Sequence, residues 1–488
     1  MKGQITMLKL NRETITDKIY ACWLGKNIGG TMGVPYEGKT EMNDIKGYST
    51  PKGEPYPNDD LDLQLVWLAA MELHGPYKLD SHVLGEHWLR CIPPHWNEYG
   101  ICKANMECGI LPPMSGELNN RWKHSNGAWI RSEIWACLAP GHPDIAIRYA
   151  VEDAMVDHGM GEGTYAELFT AAMESSAFLV QDIRELIDIG LSKIPVECRI
   201  AKSVRLVLNS YDNGLDWKET RRLLVEDSAD LGWFQAPANV GFVVLGLLYG
   251  NGDFKQSMIH TINCGDDTDC TGATVGSIMG ILHGTAGIPT DWREFIGEKI
   301  ITMAVNKAAF IYGWPGCPND CKELTERTVR LIPIVFAANN IEMEFTDSAD
   351  QYEDNQVETL KNRDYAETLY NRSGYSYDID LMYARARVEF EGSSEIRPLE
   401  TKKFRIKFFN NTQQSQNILF RFILPEGWKL EGSHAVMLES KGAQPSMYTQ
   451  WEATVTAGEH TTHINRVIIE ATSNSHMITG YIPILFIG

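Results

Sequence analysis

At 488 residues the chain exceeds the usual reach of one hydrophobic core, so two or more domains are expected. Hydrophobic residues make up 43% and charged residues 22%, an ordinary globular balance. The net charge of -20, with no run of Lys and Arg to offset it, argues against general binding to a nucleic-acid backbone.

Residues 1–12 hold no stretch apolar enough for a signal peptide, and no segment reaches the ~18 apolar residues of a membrane span. The expectation is a cytoplasmic protein without a membrane partner. Its ten scattered cysteines then read as reduced thiols. From about residue 15 to 340, apolar residues recur at spacings of three and four. The segments 16–26, 59–73, 132–137, 164–178, 196–209, 217–225 and 271–283 are predicted helices, with Gly, Pro and Asn between them. An all-α unit is expected over residues 1–345, and 346–384 reads as an acidic, polar linker or solvated helix. Strand alternation then appears at 386–391, 403–409, 418–424, 465–471 and 481–487, predicting an all-β, sandwich-like accessory domain over 385–488. The fold class is therefore multidomain, helical first and β-rich after.

Two short segments stand out for chemistry. Asn58-Asp59-Asp60-Leu61-Asp62 and Asp266-Asp267-Thr268-Asp269-Cys270 each place three carboxylates within four residues at the opening of a predicted helix. Acidic first turns are favoured by the helix dipole, and Asn58 is a good N-cap, so capping explains part of the pattern. Three carboxylates exceed what a cap needs, and two such turns brought together would suit hard divalent cations. Gly25, Gly29 and Gly33, and again Gly272, Gly276, Gly280 and Gly284, recur every fourth residue. Glycine costs roughly 1 kcal/mol in a helix interior, so a ridge of them implies close helix packing. A third feature, His158-Gly159-Met160-Gly161-Glu162-Gly163, reads either as a flexible turn capped by Thr164 or as a loop laying backbone N–H groups against a pyrophosphate.

The run from Gly25 through Pro35 to Glu37, the Asp59-Asp60 pair and the Asp267-Thr268-Asp269 turn before a small-residue helix resemble, in this order, the ADP-ribosylglycohydrolase family. The resemblance covers about residues 15–340. It implies a helical catalytic domain with two magnesium ions, manganese being an alternative, held by Asn58, Asp59, Asp60, Asp267, Asp269 and Cys270. It further implies catalytic roles for Glu37 and Asp60, and substrate-facing loops at Asn126, Gly127, His158 and Gly161. Asn58 stands where the family has Ser or Thr, and Cys270 where it has Thr; a thiol suits magnesium poorly. Thr268 and Thr271 lie beside Cys270 as alternative hydroxyls. The implied activity is metal-dependent cleavage of a ribosyl glycosidic bond, in an ADP-ribosylated substrate or a small riboside. The alternatives are a two-metal phosphohydrolase and a catalytically weakened binding protein for ADP-ribose or carbohydrate. A homo-oligomer is compatible with the sequence.

Overall fold

The computed structural model describes residues 8–310, 315–348, 356–440 and 447–488. The start of the N-terminal segment (1–7) and the middle of the acidic stretch (349–355) lie outside the described residues. The chain divides into two compact units, one of Met1–Lys103 with Asn119–Asn371 and one of Ala104–Leu118 with Arg372–Gly488.

The first unit is helical and is organised by one antiparallel helix pair. Helix Arg12–Gly33 starts under the Asn11 side chain, which accepts from the Thr14 N–H, and buries every residue from Ala21 to Gly33. It crosses helix Thr268–Gly287 along the two glycine ridges. A β-carbon on Gly25 would run into the Gly276 carbonyl, one on Gly29 into that of Gly272, and one on Gly33 into that of Thr268. Backbone meets backbone over successive turns, so the intrinsic cost of each glycine is offset by packing that no larger residue allows. Gly276→Ala should accordingly destabilise the fold by about 3 kcal/mol, read as a lowered urea midpoint with unchanged slope. A loss below about 1 kcal/mol would mean the helices can separate freely.

Around this pair lie the remaining helices and a tryptophan core. Trp67 packs edge-on to Trp88, with ring centroids 5.9 Å apart, and stacks on Trp135 at 6.5 Å. One departure from an all-α unit is a short parallel pairing of Leu8–Asn11 with Met343–Thr346. Among the described residues no helix is long and apolar enough to cross a membrane.

The second unit stacks two antiparallel sheets. One runs in the order Ile478–Ile487, Ile464–Ser473, Gln416–Ile423, Ala435–Leu438; the other runs Ser376–Asp380, Ala384–Phe390, Thr401–Asn410, Thr449–Thr456, Lys429–Gly432. Their alternate residues share one core, in which Phe404, Ile406 and Trp451 of the second sheet meet Phe420, Ile469 and Phe486 of the first. Ile110, Met114 and Leu118 join the same core, so a piece of chain far upstream completes this unit. The stretch 346–384 is also more structured than a linker. It holds helix Asp364–Tyr370 in the helical unit and strand Ser376–Asp380 in the β unit. That strand looks polar because Asp378 is paired with Arg387 at 2.7 Å and lies near Arg372 and Arg385, while Tyr377 beside it is fully buried.

Candidate active site

The glycine ridge fixes where two of the three acidic segments meet. Helix Arg12–Gly33 ends in a single tight turn, Val34–Tyr36, and then delivers Glu37. Opposite it, the Thr268 hydroxyl donates to the Gly33 carbonyl at 2.8 Å. The Gly38 N–H donates to the Asp266 carbonyl at 2.9 Å, and the Asp266 N–H to that of Lys39 at 2.8 Å. The Glu37 loop and the Asp267 turn are thereby zipped together. The third segment opens helix Asp59–His74, whose N-cap Asn58 accepts from the Asp60 N–H at 2.7 Å. Gly30 leaves the room that the Asn58 side chain fills.

The three segments line one cavity of about 480 Å³ in the helical unit. Glu37, Asp267 and Asp269 each bring one carboxylate oxygen within 4.8 Å of the others, and so do Asp59, Asp60 and Asp269. Asp269 belongs to both groups. Burial pushes the carboxyls of Asp60, Asp267 and Asp269 well above the usual carboxylate range. Asp269 adds to this at Asp60, and Asp267 and Glu37 add to it at Asp269. Burial, then Asp59, also raises Glu37. A buried cation stands behind the cluster: Lys26 donates to Glu133 at 2.7 Å and to the Ile130 carbonyl at 2.8 Å. One lysine, already paired, does not neutralise five carboxylates. Oδ1 of Asp60 and Oδ1 of Asp269 are buried without a hydrogen-bond partner. Orphaned buried oxygens in an all-carboxylate set fit hard divalent cations such as magnesium or manganese.

The neighbours named from sequence fall in different places. Asn58 uses its oxygen as the helix cap and turns its NH₂ toward Asp269 at 3.3 Å, so it braces the cluster from the side. Cys270 lines the cavity, and burial, then Asp267 and Asp60, hold its thiol well above its usual range, hence neutral. Thr268 and Thr271 lie behind the cavity lining: the Thr268 hydroxyl donates to the Gly33 carbonyl, and the Thr271 hydroxyl to the Asp267 carbonyl at 3.1 Å. Cys270→Thr should therefore preserve or raise magnesium-dependent turnover, since a neutral thiol contributes little to a hard ion. A folded Cys270→Thr protein inactive with magnesium, manganese and zinc alike would contradict that.

Asn126, Gly127, His158 and Gly161 do not line the cavity. Asn126 is fully buried and donates to Asp267 at 2.7 Å, which orients that carboxylate. His158 is sealed between Ser125, 3.0 Å from its Nε2, and Asp157, 3.0 Å from its Nδ1. The loop that follows spends its N–H groups internally: Gly161 on the His158 carbonyl, Glu162 on His124 Nδ1, Gly163 on the Lys123 carbonyl. Sequence spacing showed a glycine loop, but not where its donors point.

Sequence reasoning passed over Glu98, Tyr99 and the separate role of Asp266. Glu98, at the start of helix Asn97–Glu107, lines the cavity with Oε2 unpartnered, and burial, then Asp157, pushes its carboxyl up to about 8. Gly127 is glycine because a β-carbon there would strike the Glu98 carboxyl. The Tyr99 hydroxyl donates to Asp59 at 2.9 Å. Asp266 is engaged elsewhere, accepting from the Phe234 N–H at 2.8 Å and from Asn239 at 3.0 Å. Phe234 sits at φ +66°, a costly conformation for a bulky residue that this bond helps to hold.

Residues 11–314 match the sequence profile of the ADP-ribosylglycohydrolase family. Among solved structures, a chain of an "ADP-ribosylglycohydrolase-related protein complex" is similar at 17% identity and a TM-score of 0.42, over 66% of this chain and 99% of that one. A FixG-related protein from Vibrio parahaemolyticus is similar at 17% identity and a TM-score of 0.18, over 22% of this chain and 97% of that one. No curated protein matches.

Proposed function

Because the chain belongs to the ADP-ribosylglycohydrolase family, we propose that this cavity hydrolyses the glycosidic bond of a ribosyl compound with the help of divalent cations. The observation that carries the reading is the sharing of Asp269 between two carboxylate groups, Glu37–Asp267–Asp269 and Asp59–Asp60–Asp269, which gives two adjacent places for magnesium or manganese. Cations bound there would hold the sugar hydroxyls and a water against the anomeric carbon.

The chain's own residues supply the rest. Glu98, raised to about 8, carries a proton at neutral pH and can give it to the departing atom as the ring gains oxocarbenium character. Glu37 lies more exposed than the aspartates, beside Asp267 and Asp269, where it can hold a hydroxyl or accept a proton from water. Asp60, whose Oδ1 is orphaned, lines the same space as a ligand or base. Tyr99 and Asn126 fix Asp59 and Asp267 in orientation.

A substrate panel tests this: ADP-ribosyl-arginine, ADP-ribosyl-serine, simple nucleosides and p-nitrophenyl phosphate, each with and without magnesium. Magnesium-dependent cleavage of a ribosyl donor is the expected result. Turnover of p-nitrophenyl phosphate alone, or ribosyl cleavage indifferent to a chelator, would overturn the reading.

A further inference from the structure

Resting on the reading of Glu98 as the acid, we propose that Ser125, backed by His158, is a positioning residue for the leaving-group proton. Its hydroxyl donates to one Glu98 oxygen, which keeps the transferable proton on the other and steadies the carboxylate that forms when the proton leaves.

The two Glu98 oxygens have different surroundings. Oε2 is buried with no hydrogen-bond partner. The carboxyl is hydrogen-bonded by Ser125, so that bond falls to Oε1, the oxygen beside Gly127. Behind Ser125 the contacts continue: its Oγ lies 3.0 Å from His158 Nε2, and His158 Nδ1 lies 3.0 Å from Asp157 Oδ1. Asp157 is tied in turn to Arg131 at 2.7 Å. With Nε2 donating to Oγ, the single Ser125 proton is turned toward Glu98.

Burial and glycine placement separate this arrangement from packing. Ser125 and His158 are fully buried and neither lines the cavity, so they reach a substrate only through Glu98. A buried hydroxyl and imidazole cost free energy that apolar side chains would not. Glycines make the room: a β-carbon on Gly127 would strike the Glu98 carboxyl beside the His158 ring, and one on Gly163 would strike that ring. The other groups facing Glu98 are committed elsewhere. Asp157 is a carboxylate, Arg131 is spent on Asp153 and Asp157, Tyr99 donates to Asp59, and the Cys102 thiol donates to the Tyr99 carbonyl.

As the glycosidic bond breaks, its electron pair goes to the departing atom, which takes the proton from Oε2. Glu98 is left as a buried carboxylate, with the Ser125 donor already aimed at it. The water that attacks the anomeric carbon gives up the proton that restores the acid.

Ser125→Ala removes one oxygen and leaves the backbone bond from the Ser125 N–H to the Trp122 carbonyl, 2.9 Å long, in place. The full chain and this variant, loaded with magnesium, are compared on adenosine and ADP-ribosyl-arginine, whose leaving groups need a proton, and on p-nitrophenyl riboside, whose leaving group does not. The variant should lose about ten- to a hundredfold in kcat on the first two with KM little changed, and stay near the wild-type rate on the third. Without the donor the carboxylate is harder to form, so the alkaline fall in kcat should move to higher pH. A wild-type rate with an unmoved alkaline limb, an equal loss on all three substrates, or a limb moved to lower pH overturns the proposal. If no substrate is cleaved, the glycosidase reading fails, and infrared spectra still decide this one. The carbonyl band lost in Glu98→Gln should persist to higher pH in Ser125→Ala; a band that titrates alike in both proteins, or is missing from the wild type, overturns it.

Discussion

Asp269→Asn is expected to abolish divalent-cation binding and to lower turnover by at least about a thousandfold, because it removes the one carboxylate common to both groups. The same change should make the metal-free protein more stable. Asp60, Asp267 and Asp269 all have folded pKa values well above those of an unfolded chain, so the metal-free fold binds more protons than the unfolded state. Their stabilising protons are fully present below the ordinary carboxylate range, near about pH 4, and are lost as the pH rises through the folded values. The metal-free protein should therefore lose thermal stability as the pH rises above the ordinary carboxylate range, and Asp269→Asn should flatten that slope. Above the raised folded values the metal-free variant should be more stable than the wild type, as a neutral amide replaces a buried charge. Added magnesium should stabilise the wild type increasingly as the pH rises, since cations take the place of protons. Thermal melts across pH, with and without magnesium, read all of this. Unchanged magnesium titration in the variant, followed by calorimetry, would contradict the assignment.

Glu98→Gln should lower kcat by about a hundredfold or more without unfolding the chain. Glutamine keeps the size that Gly127 accommodates but cannot pass on a proton. In the wild type, deprotonation of Glu98 near a pH of about 8 should produce an alkaline fall in kcat, and that limb should vanish in the variant. A substrate whose leaving group needs no proton, such as p-nitrophenyl riboside, should be far less sensitive. A Glu98→Gln enzyme with the wild-type rate and pH profile would assign the carboxyl to packing alone.

Local signals carried much of the fold. The helices opening at Asp59 and Thr268 were legible because caps, acidic first turns and small-residue spacing act within a few residues. Helix Ala236–Tyr249 is apolar on nearly every side and buried along nearly its whole length, so it offers no amphipathic period to read. Strand Ser376–Asp380 hid behind its aspartates, whose arginine partners come from neighbouring segments. The acidic residues of the site could be named one by one from the sequence. Their grouping depends on the backbone contact of Gly25, Gly29 and Gly33 with Gly276, Gly272 and Thr268, which is a tertiary event. Glu98 was illegible for a related reason. It is one glutamate among ordinary polar residues of its helix, and its raised pKa comes from burial and from Asp157, far along the chain.

Crystals grown with manganese and measured at the manganese absorption edge decide whether the turns at Asp59 and Asp267 share divalent cations in one cavity. Anomalous density is expected among Asp59, Asp60 and Asp269 and among Glu37, Asp267 and Asp269, and it should be lost from both places in Asp269→Asn. Density elsewhere with none between these carboxylates, at manganese concentrations that support turnover, would contradict the shared site.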